Sequence, residues 1–429
     1  MRNTIVRASD VVDCPKADGC TYFPKLDIDL FAGAGGLALG LRLGGFSPIS
    51  VYERDKQACE TLRHNAAVGG TLAATVFEED VKEIGWDAFR GRVRLLAAGA
   101  PCQPFSLGGK HRAHEDERNL FPELLRAVRA VKPMVVLVEN VRGILREDFQ
   151  PFFEYILRQL EFPSLASRKG EKWRDHDRRA RQHQCSTNYV PEYYVCWRLL
   201  EAADFGVPQL RKRVFIVATR ADLPIYAFPL PTHSKDALVH EQRASTYWER
   251  HSIKKPRGNG FHFKTNTANG PAAWVTVRDA LANLPPPSKY SGSSRMNHWS
   301  IPGARAYPGH GGSSLDWPSK TIKAGVHGVP GGENTVILDD GTVRYYTLRE
   351  AARIQTFPDE HYFTGARIHV TRHLGNAVPC LLAAKVARPL FALLQQVSQT
   401  GIIHASRSAG YEPRIRPDSE ASQSKWPEN

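Results

Sequence analysis

Short apolar runs alternate with amphipathic stretches from residue 26 to about residue 220. Such alternation is typical of a mostly parallel sheet covered by helices, so the pattern predicts an α/β domain. One amphipathic stretch should be a helix that ends at Lys132 and Pro133, because its apolar residues recur at helical spacing. These residues are Leu120, Leu124, Leu125, Val128 and Val131. The runs that predict strands are LDIDLF, ISVYE, ATVFEED, VRLLAAGA, MVVLVEN and RVFIVAT.

The sequence changes in character after residue 220. Proline and glycine become frequent, and no helical period is sustained until about residue 347. There Thr347 and Glu350 have the spacing of a capping box, which predicts a helix start. A second helical pattern runs over residues 379–397, with Pro389 as a kink.

These changes divide the chain into five predicted segments. Residues 167–182 interleave seven Lys or Arg with three acidic residues, which predicts a solvated insertion loop. The end of the chain is polar and lacks an apolar face, which predicts a flexible tail. The segments are an N-terminal extension (1–25), an α/β domain (26–220), a loop-rich region (221–345), C-terminal helices (346–400) and the tail (401–429).

Charge and hydropathy narrow the class of partner. The 429 residues carry a formal net charge of +13, which favours nucleic acid as a partner, with a basic solvated surface as the alternative. No apolar run approaches the roughly 20 residues of a membrane helix, and the first residues lack a secretory signal. We therefore expect no membrane partner and a cytoplasmic or nucleoid-associated protein.

The seven cysteines are scattered without a CxxC pair. This spacing predicts neither a disulfide framework nor a metal site, so reduced thiols are expected. Cys14 and Cys20 could pair or bind metal, but no second pair of ligands accompanies them.

The stretch DLFAGAGGLALGL begins on a predicted strand and ends on a predicted helix. Gly33, Gly35 and Ala38 fit the G-x-G-x-x-A spacing that lets the backbone approach a nucleotide. Glu53 ends the next predicted strand, where a carboxylate can accept both ribose hydroxyls. Asp80 follows the third strand and could reach an adenine amino group.

This turn alone does not choose between a dinucleotide and S-adenosylmethionine, because both ligands contain adenosine. The aromatic ring of Phe31 near the helix start leans away from a pyrophosphate, which backbone donors usually hold there.

Reactive side chains follow two neighbouring predicted strands. GAPCQPFS holds Cys102 between two prolines at the C-terminal end of the fourth strand, where open α/β sheets bind ligands. Taken alone, this thiol is either a nucleophile or a buried, inert cysteine. Glu139 in VLVENVRG ends the next strand and should lie beside it. Arg211 and Arg213 begin a further strand, and both could address one ligand because alternate positions share a face.

With these elements the chain resembles the cytosine-5 DNA methyltransferases of bacterial restriction-modification systems. The similarity runs in order through DLFAGAGG, GAPCQPFS, ENVRGIL, GVPQLRKR, TLREAARIQTFPD and GNAVP. It implies a Rossmann-like S-adenosylmethionine-dependent methyltransferase fold with a mostly parallel sheet. Residues 26–220 would be the catalytic and cofactor-binding domain, to which 346–400 return, and 221–345 a smaller, loop-rich target-recognition domain.

The resemblance also implies roles for the matching residues. Cys102 would add to carbon 6 of a cytosine that has been flipped out of duplex DNA, so that carbon 5 accepts the methyl group. Glu139 would hold ring nitrogen 3 and the exocyclic amine, Arg213 would contact the base oxygen, and Arg211 would be its companion. The implied cofactor-binding residues are Phe31, Gly33, Gly35, Gly36, Glu53, Asp80, Pro101, Leu120 and Asn376.

Two segments are expected to contact double-stranded DNA. LGGKHRAHEDERN, with Lys110 and Arg112, suits a loop that closes over DNA, with a plain mobile loop as the alternative. WPSKTIKAGVHG resembles the short element that precedes the family's closing motifs, so Lys320, Thr321 and Lys323 are expected near DNA.

Three other interpretations remain open. The same chemistry on transfer RNA is the nearest, although the ample recognition region and PCQPFS favour DNA. A nicotinamide-dependent oxidoreductase leaves the alignment of Glu139 and Arg213 unexplained, and intact Cys102 and Glu139 argue against a catalytically dead relative. We further expect a monomer, with a cognate restriction endonuclease acting on the same site without direct binding.

Overall fold

A seven-stranded sheet forms the centre of the protein. The computed structural model describes residues 24–47, 49–67, 70–100, 120–186, 189–255, 270–289, 297–304, 311–325 and 334–400. The strands of the sheet are β1 (Leu26–Leu30), β2 (Ile49–Glu53), β3 (Ala74–Glu78), β4 (Val93–Gly99), β5 (Val135–Val141), β6 (Tyr193–Glu201) and β7 (Lys212–Arg220). Their order across the sheet is β3-β2-β1-β4-β5-β7-β6.

Strands β1 to β5 run parallel, and β7 lies antiparallel between β5 and β6. This arrangement confirms the predicted mostly parallel sheet and each of the six predicted strands. The sequence analysis missed β6, which is an edge strand. Most of its residues are only half-buried, and it therefore lacks the continuous apolar run that marks β4 and β5.

The alternation of side chains along each strand builds an apolar core on both faces of the sheet. In β4, Leu95 and Ala97 join one core, whereas Leu96 and Ala98 join the other. Helices cover both faces, as the α/β pattern predicts. The helices of the described residues are α1 (Gly36–Leu43), α2 (Lys56–Ala66), α3 (Phe121–Val131), α4 (Gln150–Glu161), α5 (Trp173–Gln184), α6 (Lys235–Ala244), α7 (Thr246–Arg250), α8 (Val277–Leu281), α9 (Leu348–Ile354), α10 (Arg367–Asn376) and α11 (Cys380–Thr400).

The prediction of a solvated loop at 167–182 is wrong, because this stretch contains most of helix α5. His176 is buried, and its ring bonds to the Tyr155 hydroxyl at 2.7 Å. Asp177 accepts from Arg158 at 2.7 Å. These polar contacts fix the helix against α4, so charge content alone was a poor guide to the structure.

The C-terminal helices return to the first strands, as the resemblance implies. Thr347 and Glu350 form the predicted capping box of α9, and α11 contains Pro389. Helix α1 packs closely along α11: a Cβ on Gly40 would lie 2.3 Å from Ala383 Cβ. Residues Arg367–Gln399 have the length and hydropathy of a membrane span, but 56% of the apolar window is buried inside the protein. Such burial is typical of a core helix, and the expected lack of a membrane partner stays a prediction.

Residues 221–345 contain more regular structure than the sequence analysis predicts. The ten-residue helix α6 contradicts the expectation that no helical period is sustained between residues 220 and 347. Helices α7 and α8 have five residues each, too few to show a sustained period. The short strands here are β8 (His233–Ser234), β9 (Ala272–Ala273), β10 (Ser313–Ser314), β11 (Thr335–Ile337) and β12 (Val343–Tyr345). The division into domains stays a prediction.

Candidate active site

The C-terminal ends of β4 and β5 lie side by side at one edge of the sheet. Gly99 pairs with Glu139 in the parallel register, as predicted for these strand ends. A Cβ on Gly99 would lie 4.0 Å from Glu139 Oε2 and 3.8 Å from the Phe31 carbonyl oxygen. The carboxyl group and the start of the glycine turn therefore border the same strand end. Pro101 and Cys102 follow directly and lie outside the described residues, so the position of the thiol stays a prediction.

Glu139 is buried and paired with an arginine. Its side chain is 8% exposed, and Arg213 Nε lies 2.9 Å from Oε1. The antiparallel register, which pairs Val141 with Arg213, places the two groups together. Burial raises the pKa of Glu139, and the positive charges of Arg213 and Arg211 oppose this effect. A carboxyl group with a raised pKa and a fixed orientation can donate a hydrogen bond to a ring nitrogen.

Arg211 has a different set of partners. Its guanidinium is buried and donates to the carbonyl oxygens of Ile322 at 3.1 Å, Gly375 at 2.8 Å and Ala377 at 2.9 Å. The residue also precedes β7, so the alternation within the strand does not apply to it. These contacts hold the end of α10 against the start of β7. The expected role of Arg211 beside Arg213 stays a prediction.

Asn140 is a site residue that the sequence analysis missed. It is buried, and its Nδ2 donates to the Ala100 carbonyl oxygen at 3.3 Å. Its Oδ1 accepts from the Val141 amide at 2.9 Å. The side chain thereby ties the end of β5 to the residue that precedes Pro101. The available signal was a second polar side chain, next to Glu139, at the end of an otherwise apolar strand.

The glycine turn has the backbone conformation that its sequence predicts. Gly33 and Gly35 have φ values of 54° and 89°, in the left-handed region that favours glycine. Phe31 also has a positive φ of 60°, which is uncommon for an aromatic residue. The Gly33 amide donates to Glu53 Oε2 at 2.9 Å. This bond joins the turn to the acid at the end of β2.

Gly36 is explained by packing. A Cβ at this position would lie 2.4 Å from the Val378 carbonyl oxygen, so only glycine allows the chain after α10 to approach the first turn of α1. The expected contact of Gly36 with a cofactor stays a prediction.

Two acids lie at the ends of the neighbouring strands β2 and β3: Glu53 is the last residue of β2, and Asp80 follows β3. Glu53 Oε1 accepts from the amides of Arg54 and Asp55, each at 2.8 Å. Asp80 Oδ1 accepts from the Lys82 amide at 3.0 Å, and Arg54 Nη1 lies 3.3 Å from Oδ2. The backbone hydrogen bond, followed by the Arg54 contact, lowers the pKa of Asp80. Glu53 therefore borders the glycine turn, and the expected contacts of both acids with a cofactor stay predictions.

The returning C-terminal segment contacts the glycine turn directly. His361 Nε2 lies 3.2 Å from the Ala34 carbonyl oxygen, and Nδ1 lies 2.9 Å from Thr71 Oγ1. Asn376 ends α10, is exposed, and lies two residues before the Val378 carbonyl that meets Gly36. Leu120 is buried at the start of α3. His361 was missed because nothing in its local sequence indicates a partner more than 300 residues away.

The residues predicted to read DNA differ in their surroundings. Lys320 and Lys323 are exposed, whereas Thr321 Oγ1 donates to the Leu210 carbonyl oxygen at 2.6 Å. Thr321 therefore anchors its segment to the chain before β7. Lys110 and Arg112 lie outside the described residues. Across the part of the chain that the structure describes, no group of three His, Cys, Asp or Glu side chains could hold a metal ion.

A family model described as C-5 cytosine-specific DNA methylase matches residues 26–163 and 174–392. The chain belongs to this family. The protein is a DNA cytosine-5 methyltransferase, as its glycine turn and buried Glu139 suggest.

The methyltransferase is similar to enzymes of restriction-modification systems over most of its length. M.PspPI, a type II methyltransferase of Psychrobacter sp. (strain TA137), is 31% identical over 371 residues, 86% of this chain and 79% of the relative. M.Eco47II of Escherichia coli is 31% identical over 383 residues, 87% of this chain and 80% of the relative. M.NgoMIV of Neisseria gonorrhoeae is 30% identical over 371 residues, 86% and 98% of the two chains.

Solved structures of methyltransferases share the fold of this one. Dnmt2 of S. pombe matches with a TM-score of 0.51 at 19% identity, covering 87% of this chain and 99% of that chain. EhMeth of Entamoeba histolytica matches with a TM-score of 0.52 at 14% identity, with the same coverage. These matches confirm the predicted Rossmann-like methyltransferase fold.

Proposed function

We propose that this methyltransferase moves the methyl group of S-adenosylmethionine to carbon 5 of a cytosine that has been flipped out of duplex DNA. The target cytosine lies in a specific sequence, and a covalent bond between Cys102 and carbon 6 forms on the way. The buried Glu139–Arg213 pair at the end of β5, beside the end of β4, is the observation that carries this proposal.

The pair suits the chemistry of the addition step. The Cys102 thiolate adds to carbon 6, and the electron pair of the 5,6 double bond moves towards ring nitrogen 3. Glu139 donates a hydrogen bond there, which its raised pKa favours, and Arg213 faces the developing charge on the base oxygen. Carbon 5 then attacks the methyl group of S-adenosylmethionine, whose methyl–sulfur bond breaks so that S-adenosylhomocysteine leaves. A base removes the carbon 5 proton, the double bond re-forms and the thiolate leaves.

The residues around the glycine turn fit S-adenosylmethionine, which supplies an electrophilic methyl group. The turn brings bare backbone to the edge of the sheet, and the Glu53 carboxylate at its mouth can accept from ribose hydroxyls. We propose that Asp80 accepts from the adenine amine and that Asn376 and Phe31 contact the same ligand. Each of these proposed cofactor contacts is supported by the resemblance of the residue to the family's cofactor-binding residues.

Methylation by matched variants tests the proposal. Incorporation of labelled methyl groups into duplex DNA is expected for the wild type and lost in Cys102→Ser, while calorimetry should show that both proteins bind S-adenosylmethionine. Cys185→Ser is the control, because Cys185 is exposed and lies after α5. Undiminished turnover in Cys102→Ser would overturn the covalent step.

The same assay separates DNA from transfer RNA as the substrate. Transfer RNA carries the same base, and the buried pair does not distinguish the two polymers. Incorporation into duplex DNA alone is the expected result, and incorporation into transfer RNA alone would refute the DNA substrate.

We further propose a setting for the enzyme. It would act as a monomer in the bacterial cytoplasm on nucleoid DNA, beside an endonuclease of the same specificity. The similarity to bacterial type II methyltransferases supports the bacterial setting and the endonuclease. Bisulfite sequencing of DNA from cells that express the protein would identify the modified cytosine and its neighbours.

A further inference from the structure

The last turn of α10 lies between the two halves of the candidate active site. Arg211 donates to the Gly375 and Ala377 carbonyl oxygens on one side. Gln355 Nε2 donates to the Leu374 carbonyl oxygen in the same turn. A Cβ on Gly375 would lie 2.2 Å from the Ala324 amide nitrogen, so the turn is also closely packed against the segment that contains Lys323.

On its other side, this turn is fastened to the segment that follows β2. Arg372 Nη2 lies 2.6 Å from Asp55 Oδ2, and His373 Nε2 lies 3.5 Å from Asp55 Oδ1. The Asp55 amide in turn donates to Glu53 Oε1 at 2.8 Å. Asp55 therefore connects the proposed ribose acceptor, Glu53, to the helix that ends at Asn376.

The position of Arg372 on its helix matters for Asn376. The two residues are four apart, so they lie one above the other on the same face of α10. The contact of Arg372 with Asp55 therefore holds the same turn of helix that carries Asn376. It adds to the bonds from Arg211 and Gln355, which hold the backbone of that turn.

We propose that Asp55 and Arg372 are positioning residues for the methyl donor: their ion pair holds Asn376 at a fixed distance from Glu53. This inference rests on the proposed binding of S-adenosylmethionine at the glycine turn. A preorganised pair of contacts binds a ligand more tightly than the same contacts on elements that move independently. The ion pair is thus expected to affect donor affinity more than it affects the stability of the fold.

The partial exposure of the Asp55–Arg372 pair supports the expectation that it affects donor affinity more than the stability of the fold. The side chains of Arg372 and Asp55 are 36% and 34% exposed. Ion pairs this open to water contribute little to folding. Asp55 has a second duty as the N-cap of α2, because its Oδ1 accepts from the Ala58 amide at 3.0 Å. A useful variant must keep that cap.

Asp55→Asn meets this requirement, since asparagine is an equally good N-cap but carries no charge. Arg372→Met removes the guanidinium and keeps most of the side-chain length. The matched control is Arg367→Met, which removes the same charge from an exposed position on the same helix. Thermal unfolding of each protein without donor reports whether the fold is intact.

Each single variant is expected to bind S-adenosylmethionine about fivefold more weakly in calorimetry, a size typical of coupled contacts. The double variant should bind no more weakly than the weaker single variant, because both changes break one contact. KM for the donor should rise by the same factor, with kcat at saturating donor and the Kd for duplex DNA unchanged. Arg367→Met should match the wild type throughout.

Unchanged donor affinity in both single variants would overturn the inference, and so would losses that multiply in the double variant. A fall in kcat without a rise in KM would also contradict it. Failure of the wild type itself to bind S-adenosylmethionine would instead refute the proposed function, so the two failures are distinguishable.

Discussion

At the scale of single residues, the protonation of the candidate active site depends on which charged groups are buried beside one another. Glu139 is held between desolvation, which favours its neutral form, and Arg213, which favours its charged form. Phe31, in contrast, contributes an uncommon backbone conformation at the start of the glycine turn. The sequence alone predicted the identity and strand position of Glu139. It did not predict the 2.9 Å contact with Arg213, because that contact depends on antiparallel pairing with β7.

Glu139→Gln is expected to lower kcat by about 100-fold or more, a loss typical of removing one group that stabilises developing charge. Glutamine keeps the size of the side chain but cannot carry the proton or neutralise Arg213. Single-turnover methylation of duplex DNA at saturating donor measures the effect. The affinity for S-adenosylmethionine should change little, and a kcat within a few-fold of the wild type would contradict the role of Glu139.

His361 makes stability depend on pH. Burial lowers its pKa from 6.5 to about 3, so the folded protein keeps a neutral imidazole that contacts Ala34 and Thr71. The unfolded chain binds a proton below about pH 6.5. Stability from this group is therefore complete above pH 6.5 and falls as the pH drops towards 3, by about 1 kcal/mol per pH unit.

His361→Gln isolates this effect, because glutamine can make both hydrogen bonds without titrating. The stability advantage of the wild type over the variant, from urea unfolding, should shrink by about 1 kcal/mol between pH 7.5 and pH 5.5. Other titrating groups cancel in the difference. An advantage that stays constant with pH would show that His361 is not buried as described.

At the scale of elements, hydrophobic periodicity identified the helices and strands with apolar buried faces. It missed the helix whose buried face is mostly polar. Helix α3 and the strands β4 and β5 were predicted because their buried faces are leucine, valine and alanine. Helix α5 buries His176, Asp177 and Ala180, which also have helical spacing. Two of these three residues are polar, so the stretch resembled a solvated loop.

The contact of α1 with α11 should be sensitive to single methyl groups. Gly40→Ala places a Cβ 2.3 Å from Ala383 Cβ and 2.7 Å from the Cys380 carbonyl oxygen. Overpacking of this kind typically costs about 1–3 kcal/mol. Chemical denaturation should show the loss in Gly40→Ala. Gly85→Ala is the control, because no atom lies within 4 Å of its Cβ position, and an equally stable Gly40→Ala would contradict the close packing.

At the scale of the whole molecule, the order of motifs along the chain predicted that distant segments meet. The resemblance implies that the C-terminal helices return to the first strands, and the close approach of Val378 to Gly36 confirms that return. The partners of Arg211 were beyond prediction, because they lie 111 to 166 residues away in loops and helix ends. No periodic pattern specifies such contacts.

The net charge of +13 predicts strongly salt-dependent binding of duplex DNA. Each neutralised phosphate releases counterions, so affinity should fall at least about 100-fold between 50 and 200 mM salt. Fluorescence anisotropy with a labelled duplex measures the slope. Binding of S-adenosylmethionine over the same range provides the comparison and should change far less. A DNA affinity that does not change with salt concentration would refute electrostatic binding.

The packing of α1 against α11 has a consequence for synthesis on the ribosome. Residues 36–43 emerge early, but the surface that covers them belongs to residues 380–400. A nascent chain therefore carries helix α1 uncovered until almost all of the described protein has been translated. Premature termination anywhere in residues 221–345 should yield aggregation-prone fragments, which restricts methylation to chains that have completed translation through α11.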